Sequence, residues 1–358
     1  MSPAEDPTPG ENVHEVKAAL VARAGDAQAQ KSRQGALRTG IAVVAFVALI
    51  VVVNVLTNGN FFTAGNLTNV LRQITYNAIL AVGQTFVIIT AGIDLSVGSL
   101  IQLTGVVMAQ FANASGLDGP LLVIVTTIVG VLVGCGAGLV NALPVVRLNL
   151  PPFITTLAMM LMARGLAFKL AHGVPVPLKS SAFDALGTQY ALHDLLAPLG
   201  LPGIPWAVLV MLSVVIVFAI VLTRTRFGRY VLAIGGNEEA ARLAGINVRL
   251  VKTFVYVISG GCAALAGMLL MARFSSGSPN TGVGSELQSI AAVVVGGTSL
   301  MGGRGSVVAS FFGALLIGVL NNVMNLLNIE SYTQDIVLGA VILLAVTAEE
   351  IRKRVFAR

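Results

Sequence analysis

The chain has 358 residues, of which 56% are hydrophobic and only 11% charged, less than half the roughly 25% charged content of an ordinary soluble domain. That balance excludes a soluble enzyme or binding module and places most of the chain in lipid. A net charge of +6 would suggest nucleic acid in a soluble protein. Here the basic residues are distributed as membrane orientation requires, and no nucleic-acid partner is expected.

Residues 1–36 are polar, carry Pro3, Pro7 and Pro9 and mix both charge signs. They read as a partly disordered tail with a short helix near Val13 to Ala24. The first apolar run, about Leu37 to Leu56, comes too late and is too long for a secretory signal peptide and is expected to stay as an anchor. A helix needs about 20 apolar residues to cross about 30 Å of hydrocarbon. On that measure nine further spans are expected, at about 67–90, 97–113, 120–142, 152–171, 205–223, 252–272, 286–300, 307–327 and 335–351. The runs are continuous, without the alternation of a barrel. The expected fold is therefore an all-α polytopic membrane protein with about ten transmembrane helices in a domain over 37–351.

With the tail inside, only Arg72, Arg164, Lys169, Lys179 and Arg273 of the 22 basic residues fall in spans or outer connections. Both termini are thus expected in the cytoplasm, the C-terminal one as a basic stretch over 352–358. The exception to the pattern is the inner connection around Asp94, which is acidic. Two connections are longer than turns. The outer one, 173–205, holds Pro175, Pro177, Pro198, Pro202 and Pro205 with Leu195 and Leu196, as expected of an ordered extracytoplasmic cap. The inner one, 223–251, is the most polar stretch of the core.

Cys135 and Cys262 each lie in an apolar run and read as small packing residues, and His14, His172 and His193 have no ligand pattern beside them, so no metal site is expected. Gly130, Gly134 and Gly138 form a smooth helix face for a neighbouring backbone, within the chain or at a subunit interface. In the inner loop, GGNEEAARLAGINV runs from Gly235 to Val248. Asn237 is placed to cap a short helix whose first turn carries Glu238 and Glu239, both favourable to the helix dipole. Ala240, Ala241, Arg242 and Leu243 continue it and Gly245 ends it. A short rigid helix with small side chains suits docking into a groove on another subunit; as a bare surface helix it would only join two spans.

The stretch GIDLSVGS, from Gly92 to Ser99, reads as a break where one helix ends at Gly92 and Asp94 or Ser96 caps the next. Gly92, Asp94, Leu95, Ser96 and Gly98 are its candidate residues. Asp94 reads as the one acidic residue this close to an embedded stretch, a costly placement that points either to capping and packing or to gating. The stretch VVGGTSLMGGRGS, Val294 to Ser306, contributes Gly296, Gly297, Gly302, Gly303 and Arg304. It is not a nucleotide loop: no GxxxxGK[ST] occurs in the chain, and position 308 is Val308 where GxGxxG needs glycine. Its glycines suit a tight turn and close helix approach, with Arg304 available to a lipid headgroup or an acidic partner.

A path for a small uncharged polar solute needs neutral hydrogen-bonding groups rather than fixed charges. Asn77, Gln84, Gln102, Asn141, Thr155, Thr156, Asn321 and Asn322 lie within or near spans and are candidates, the alternative for each being a helix-to-helix bond. Arg164 is expected to snorkel to the outer interface. No Ser/Lys or paired-Asp set suggests an intramembrane enzyme, and no catalytic residue is expected. An ion-driven secondary transporter is the rival reading, but it would favour carboxylates or paired charges in mid-membrane, and Asp94 alone is a thin supply.

Glu239, Ala240, Ala241 and Gly245 reproduce the EAA-x-x-x-G pattern of ATP-binding-cassette importer permeases. GIDLSVGS and VVGGTSLMGGRGS resemble the signature stretches of the permeases that import ribose, xylose, arabinose and related sugars, and with their spacing the resemblance covers about residues 60–350. It implies a type II importer-like permease fold in the cell membrane, working by alternating access. It also implies a second permease chain, identical or homologous, and a cytoplasmic ATPase, often with tandem cassettes, that seats the loop helix. An extracytoplasmic sugar-binding protein completes the set. This chain would need no cofactor, ATP and Mg belonging to the ATPase.

Overall fold

The structure, a computed structural model, describes residues 51–191 and 203–356. The tail over 1–36, its short helix, most of the first expected span, Leu195, Leu196, Pro198 and Pro202 lie outside the described residues. Residues 51–56 are helical, and the chain turns just after them with Asn58 and Gly59 at φ 51° and 80°.

The remainder is a helical bundle. Among the described residues its principal helices are α1 (Ala64–Ile89), α2 (Val97–Ala114), α3 (Gly119–Arg147), α4 (Pro152–Leu170), α5 (Trp206–Arg224), α6 (Arg226–Gly236), α7 (Glu238–Leu243), α8 (Val248–Phe274), α9 (Ser285–Val295), α10 (Val307–Leu326) and α11 (Ser331–Phe356). Six of them, α2, α3, α4, α5, α8 and α10, are long and apolar enough to cross a membrane. α1 matches them in length but carries Asn66, Asn69, Arg72, Gln73, Asn77 and Gln84. The protein is a multi-pass, mainly helical membrane protein. α3 and α5 turn Ile124, Ile128, Leu132, Ile216, Val217 and Ile220 outward, a surface that lipid tolerates and water would not.

α8 is the core of the bundle. It packs on α3, α1 and α2, and every residue from Ser259 to Ala272 except Leu265 is buried. Glycine sets how closely α3 can approach it. A Cβ on Gly134 or Gly138 would overlap the carbonyls of Gly260 and Tyr256, and one on Gly260 would overlap the carbonyl of Gly134. Gly130 makes room instead for the Met108 side chain of α2. The smooth face of α3 is therefore spent inside the chain, which corrects the alternative of a subunit interface. Cys262 and Cys135 fill space beside Gly83 and Gly261, as packing residues do.

The expected eighth span, 286–300, is corrected. α9 has 11 residues, roughly 16 Å of helix, about half of the hydrocarbon thickness. It stops because Gly296 and Gly297 follow, Gly297 at φ 85°. Before α9 the chain runs as irregular backbone along α2, with Gly277 against Gly105 and Gly282 against Gly98 and Ile101. Such backbone is tolerated in a membrane protein where protein covers it. The inner connection is also more ordered than a loop, since α6 occupies all of 226–236. Its three glycines, Gly228, Gly235 and Gly236, conceal it in the sequence. In the outer connection, Val176–Pro177 pairs antiparallel with Ser276–Gly277, and Tyr190–Ala191 with Ile204–Pro205. Arg72 Nη2 donates to the Thr188 carbonyl at 2.5 Å and its guanidinium lies 5.1 Å from the Tyr190 ring centre, so α1 holds this cap.

Gly138→Val should cost at least the 1–3 kcal/mol typical of overpacking, seen as a lowered melting temperature and loss of monodisperse protein in detergent. Gly136→Val, on the same helix but facing open space, should melt like the parent.

Candidate functional site

Three places matter, beginning with the break between α1 and α2. Ala91 reverses the chain at φ 58°, and Gly92 N–H donates to the Val87 carbonyl at 3.0 Å. A Cβ at Gly92 would sit 2.7 Å from Tyr256 Oη, so no side chain fits. Asp94 follows with 0% exposure. Its Oδ1 accepts from the Ser96 N–H at 2.9 Å and the Ser96 hydroxyl at 2.6 Å, and its Oδ2 accepts from the Ser259 hydroxyl at 2.7 Å. Three donors are what make a carboxylate tolerable with no water around it.

The backbone of the same segment is held as well. Gln84 Nε2 donates to the Asp94 carbonyl, Thr156 Oγ1 to the Ile93 carbonyl at 3.1 Å, and Asn141 Nδ2 to Ser96 Oγ at 2.9 Å. The motif is thus gripped by α1, α3, α4 and α8 together. The capping expectation is corrected: Ser96 occupies the position before α2 but its side chain makes no capping bond, its hydroxyl being spent on Asp94. Gln84, Asn141 and Thr156, three of the sequence's path candidates, are brought together here as supports of the break.

The second place is a cavity of about 690 Å³ at the end of the bundle formed by the start of α1 and the ends of α8 and α10. Its polar lining includes Asn69, Gln73, Tyr76, Arg273, Gln288 and Asn325. The walls are joined by amide pairs. Asn66 and Asn322 exchange two bonds, at 3.0 and 2.8 Å, and Asn77 Nδ2 donates to Gln288 Oε1 at 2.9 Å. Of the path candidates, Asn322 lines the cavity and Asn77 stands directly behind it. Asn321 and Gln102 are buried elsewhere, and Thr155 bonds only the Pro152 carbonyl of its own helix at 2.9 Å. Sequence reasoning missed most of the lining, although Asn66, Asn69, Gln73 and Tyr76 recur at helical spacing on one face of α1 and could have been read from it.

Glu286 was missed too. It falls inside the expected eighth span, so Asp94 is not the only acidic residue at an embedded stretch. Its Oε2 lies against Gly98, where any side chain would overlap it. The start of α9 therefore meets the start of α2 inside the bundle, an arrangement of broken helices found where transporters place their sites.

The third place is at the opposite end of α1, roughly 39 Å away by helix length. Asn237 Oδ1 accepts from the Ala240 N–H at 2.9 Å and caps α7, and Gly245 ends it at φ 82°. Lys252 Nζ pairs with Glu238 at 2.6 Å, and Arg242 reaches Glu238 and Glu239 at 3.4 and 3.6 Å. Ala241 is buried at 4% exposure whereas Leu243 is 81% exposed. Leu243, expected only to continue the helix, is thus an apolar side chain exposed on a polar surface. The Gly296–Gly305 turn closes on the same end: Gly303 N–H donates to the Ile89 carbonyl at 2.9 Å, and Ser299 N–H to the Arg304 carbonyl at 3.0 Å.

Residues 66–346 match the family model described as "Branched-chain amino acid transport system / permease component". The chain belongs to this permease family. It is 44% identical to the ribose import permease protein of Escherichia coli (strain K12) over 307 residues, 86% of this chain and 92% of that one. It is 42% identical to the ribose import permease protein of Haemophilus influenzae over 310 residues, 85% of this chain and 91% of that one. The xylose transport system permease protein of Escherichia coli (strain K12) is 36% identical over 369 residues, 89% of this chain and 93% of that one. No solved structure matches the chain. As a family permease it is a transport component and not an enzyme.

Within this permease, Ser259→Ala would leave Asp94 Oδ2 without its donor. The expected cost is about 1–3 kcal/mol, measured as a drop in melting temperature of the purified protein. Thr155→Val, which removes a hydroxyl bonded only within α4, should melt within error of the parent.

Proposed function

We propose that this chain is the membrane-spanning subunit of an importer that carries a pentose, such as ribose or xylose, into the cell, driven by a separate ATP-binding-cassette subunit. The observation that carries this reading is the 44% identity to a ribose import permease across nearly the full length of both chains. The cavity supports it. About 690 Å³ falls in the ordinary range for a small-molecule site. Among the described residues of its lining, amides outnumber the single cation Arg273 and there is no carboxylate, a set that suits neutral hydroxyls better than an amino acid's two charges.

In this reading the cavity end faces outside and α6, α7 and the Gly296–Gly305 turn face the cytoplasm, as the basic residues around α6 and α7 favour. Ten passes then place both termini inside, the irregular segment after Gly277 and α9 making the eighth together. The 173–205 cap faces an extracytoplasmic sugar-binding protein, and 223–251 is the coupling region. A second permease chain, the same or homologous, pairs with this one. The ATPase, with its two cassettes in one polypeptide, holds ATP and Mg. α7 seats in that ATPase through its exposed residues Glu239, Ala240, Arg242 and Leu243. Ala241 instead packs against its own chain, so a bulky residue there acts from within. The Asp94 network is the element that changes state as the cavity opens to one side or the other.

The test is affinity capture of the tagged chain from gently solubilised membranes. A cassette ATPase is expected with the parent, and Leu243→Asp or Gly245→Pro should reduce its recovery at least tenfold while the permease still accumulates. Uptake that collapses with the ion gradient, with no ATPase recovered, would make the chain a secondary transporter instead. Asn69→Leu should lower ribose uptake about tenfold, equivalent to one or two lost hydrogen bonds, with ATPase recovery unchanged.

A further inference from the structure

Where α6 meets the end of α1, three backbones touch without an intervening side chain. Gly235 is the penultimate residue of α6, and a Cβ there would overlap both the Ile89 carbonyl oxygen and the Gly303 nitrogen. Gly302 and Gly303 have φ of 84° and 73°. A Cβ on Gly302 would lie 2.8 Å from the Ile89 carbonyl, 2.9 Å from the Gly235 carbonyl and 3.1 Å from the Ala91 nitrogen. The Ile89 carbonyl belongs to the last turn of α1, where acceptors lack a partner in the helix, and Gly303 N–H satisfies it. Hydroxyls tie the preceding turn to α10. Thr85 Oγ1, one turn before Ile89, donates to Ser310 Oγ at 2.8 Å, and Thr298 Oγ1 lies 3.4 Å from that oxygen.

We propose that Gly235, Gly302 and Gly303 form a side-chain-free joint that delivers movement of α7 to the Ile89–Ser96 segment, making Gly235 a positioning residue for transport. The inference rests on α7 being the helix that meets the ATPase. Gly235 lies two residues before the Asn237 cap of α7, and Ile89 lies five residues before Asp94. A side chain at such a contact yields by changing rotamer, whereas packed backbone transmits displacement because it cannot compress. A shift of α7 therefore moves the end of α1, and the segment gripped by Ser259, Asn141 and Thr156 must follow or break its bonds. Sequence alone supports no such link, since Gly235 lies 146 positions beyond Ile89 and Gly303 a further 68 beyond Gly235, and the joint's parts come from three distant motifs.

The neighbouring glycine supplies the control. Gly236 has nothing within 4 Å of a Cβ position, although it belongs to the same helix and differs by one place. The experiment compares Gly235→Ala, Gly236→Ala and Ser310→Ala in the complete importer, purified with its ATPase and reconstituted in vesicles with its binding protein. Ribose taken up and ATP hydrolysed are measured together. G235A is expected to lower ribose carried per ATP at least tenfold while the ATPase still copurifies and still hydrolyses ATP, and G236A to match the parent. Ser310→Ala removes atoms rather than adding them and should lower the ratio several-fold. A parental ratio in G235A, or equal losses in G235A and G236A, overturns the joint. Should G235A fail to accumulate, Ser310→Ala decides, and a parental ratio there overturns it. A parental complex that carries neither ribose nor xylose with ATP overturns the functional reading itself.

Discussion

A carboxylate with no access to water must be surrounded by donors, and in this permease that demand organises the inside of the bundle. Asp94 lies between two helices, and its donors come from its own turn and from α8, while Asn141 of α3 holds Ser96 in place. Each partner constrains a different helix. α1, α3, α4 and α8 cannot slide independently without leaving a polar group unpaired, at about 1–3 kcal/mol for each one lost. Hydrogen bonding here gives the break a defined geometry in a region where lipid offers no hydrophobic drive between helices.

Close approach of backbones is the second constraint and depends on the absence of side chains. Gly134, Gly138 and Gly260 let α3 reach α8, so that Asn141, one turn beyond Gly138, comes within 2.9 Å of Ser96. At the last turn of α1, Gly235 and Gly303 let α6 and the glycine turn close on Ile89. The two sets of contacts flank the Asp94 segment, one fixing it within the bundle and the other tying it to the helix α7.

The cavity and the lipid face divide the apolar chain by chemistry. α3 and α5 expose branched aliphatic residues and carry few polar groups, which suits contact with acyl chains. α1 turns amides toward Asn322 and Gln288, and these are groups that can exchange one hydrogen bond for another when a hydroxylated solute enters. α1 is thereby polar enough that hydropathy alone underrates it as a span, and its length shows its role better than its composition does.

Composition and run length determined by themselves that this is a multi-pass helical membrane protein, because the need to satisfy every backbone group in lipid leaves continuous helices as the answer for runs such as 120–142 and 205–223. Local chemistry was legible too: Asn237 before an acidic turn and Gly245 after it mark α7 without reference to the rest of the chain. Tertiary structure alone decided which polar residues face the cavity and which hold the break. Gln84, Asn141 and Thr156 are the same residue types as Asn69, Gln73 and Asn322, and an amide's role depends on which neighbour the packing brings within 3 Å. It also decided that α9 stops halfway and that three motifs separated by most of the chain meet at Ile89, since contacts between distant segments arise from helix packing that no local pattern encodes.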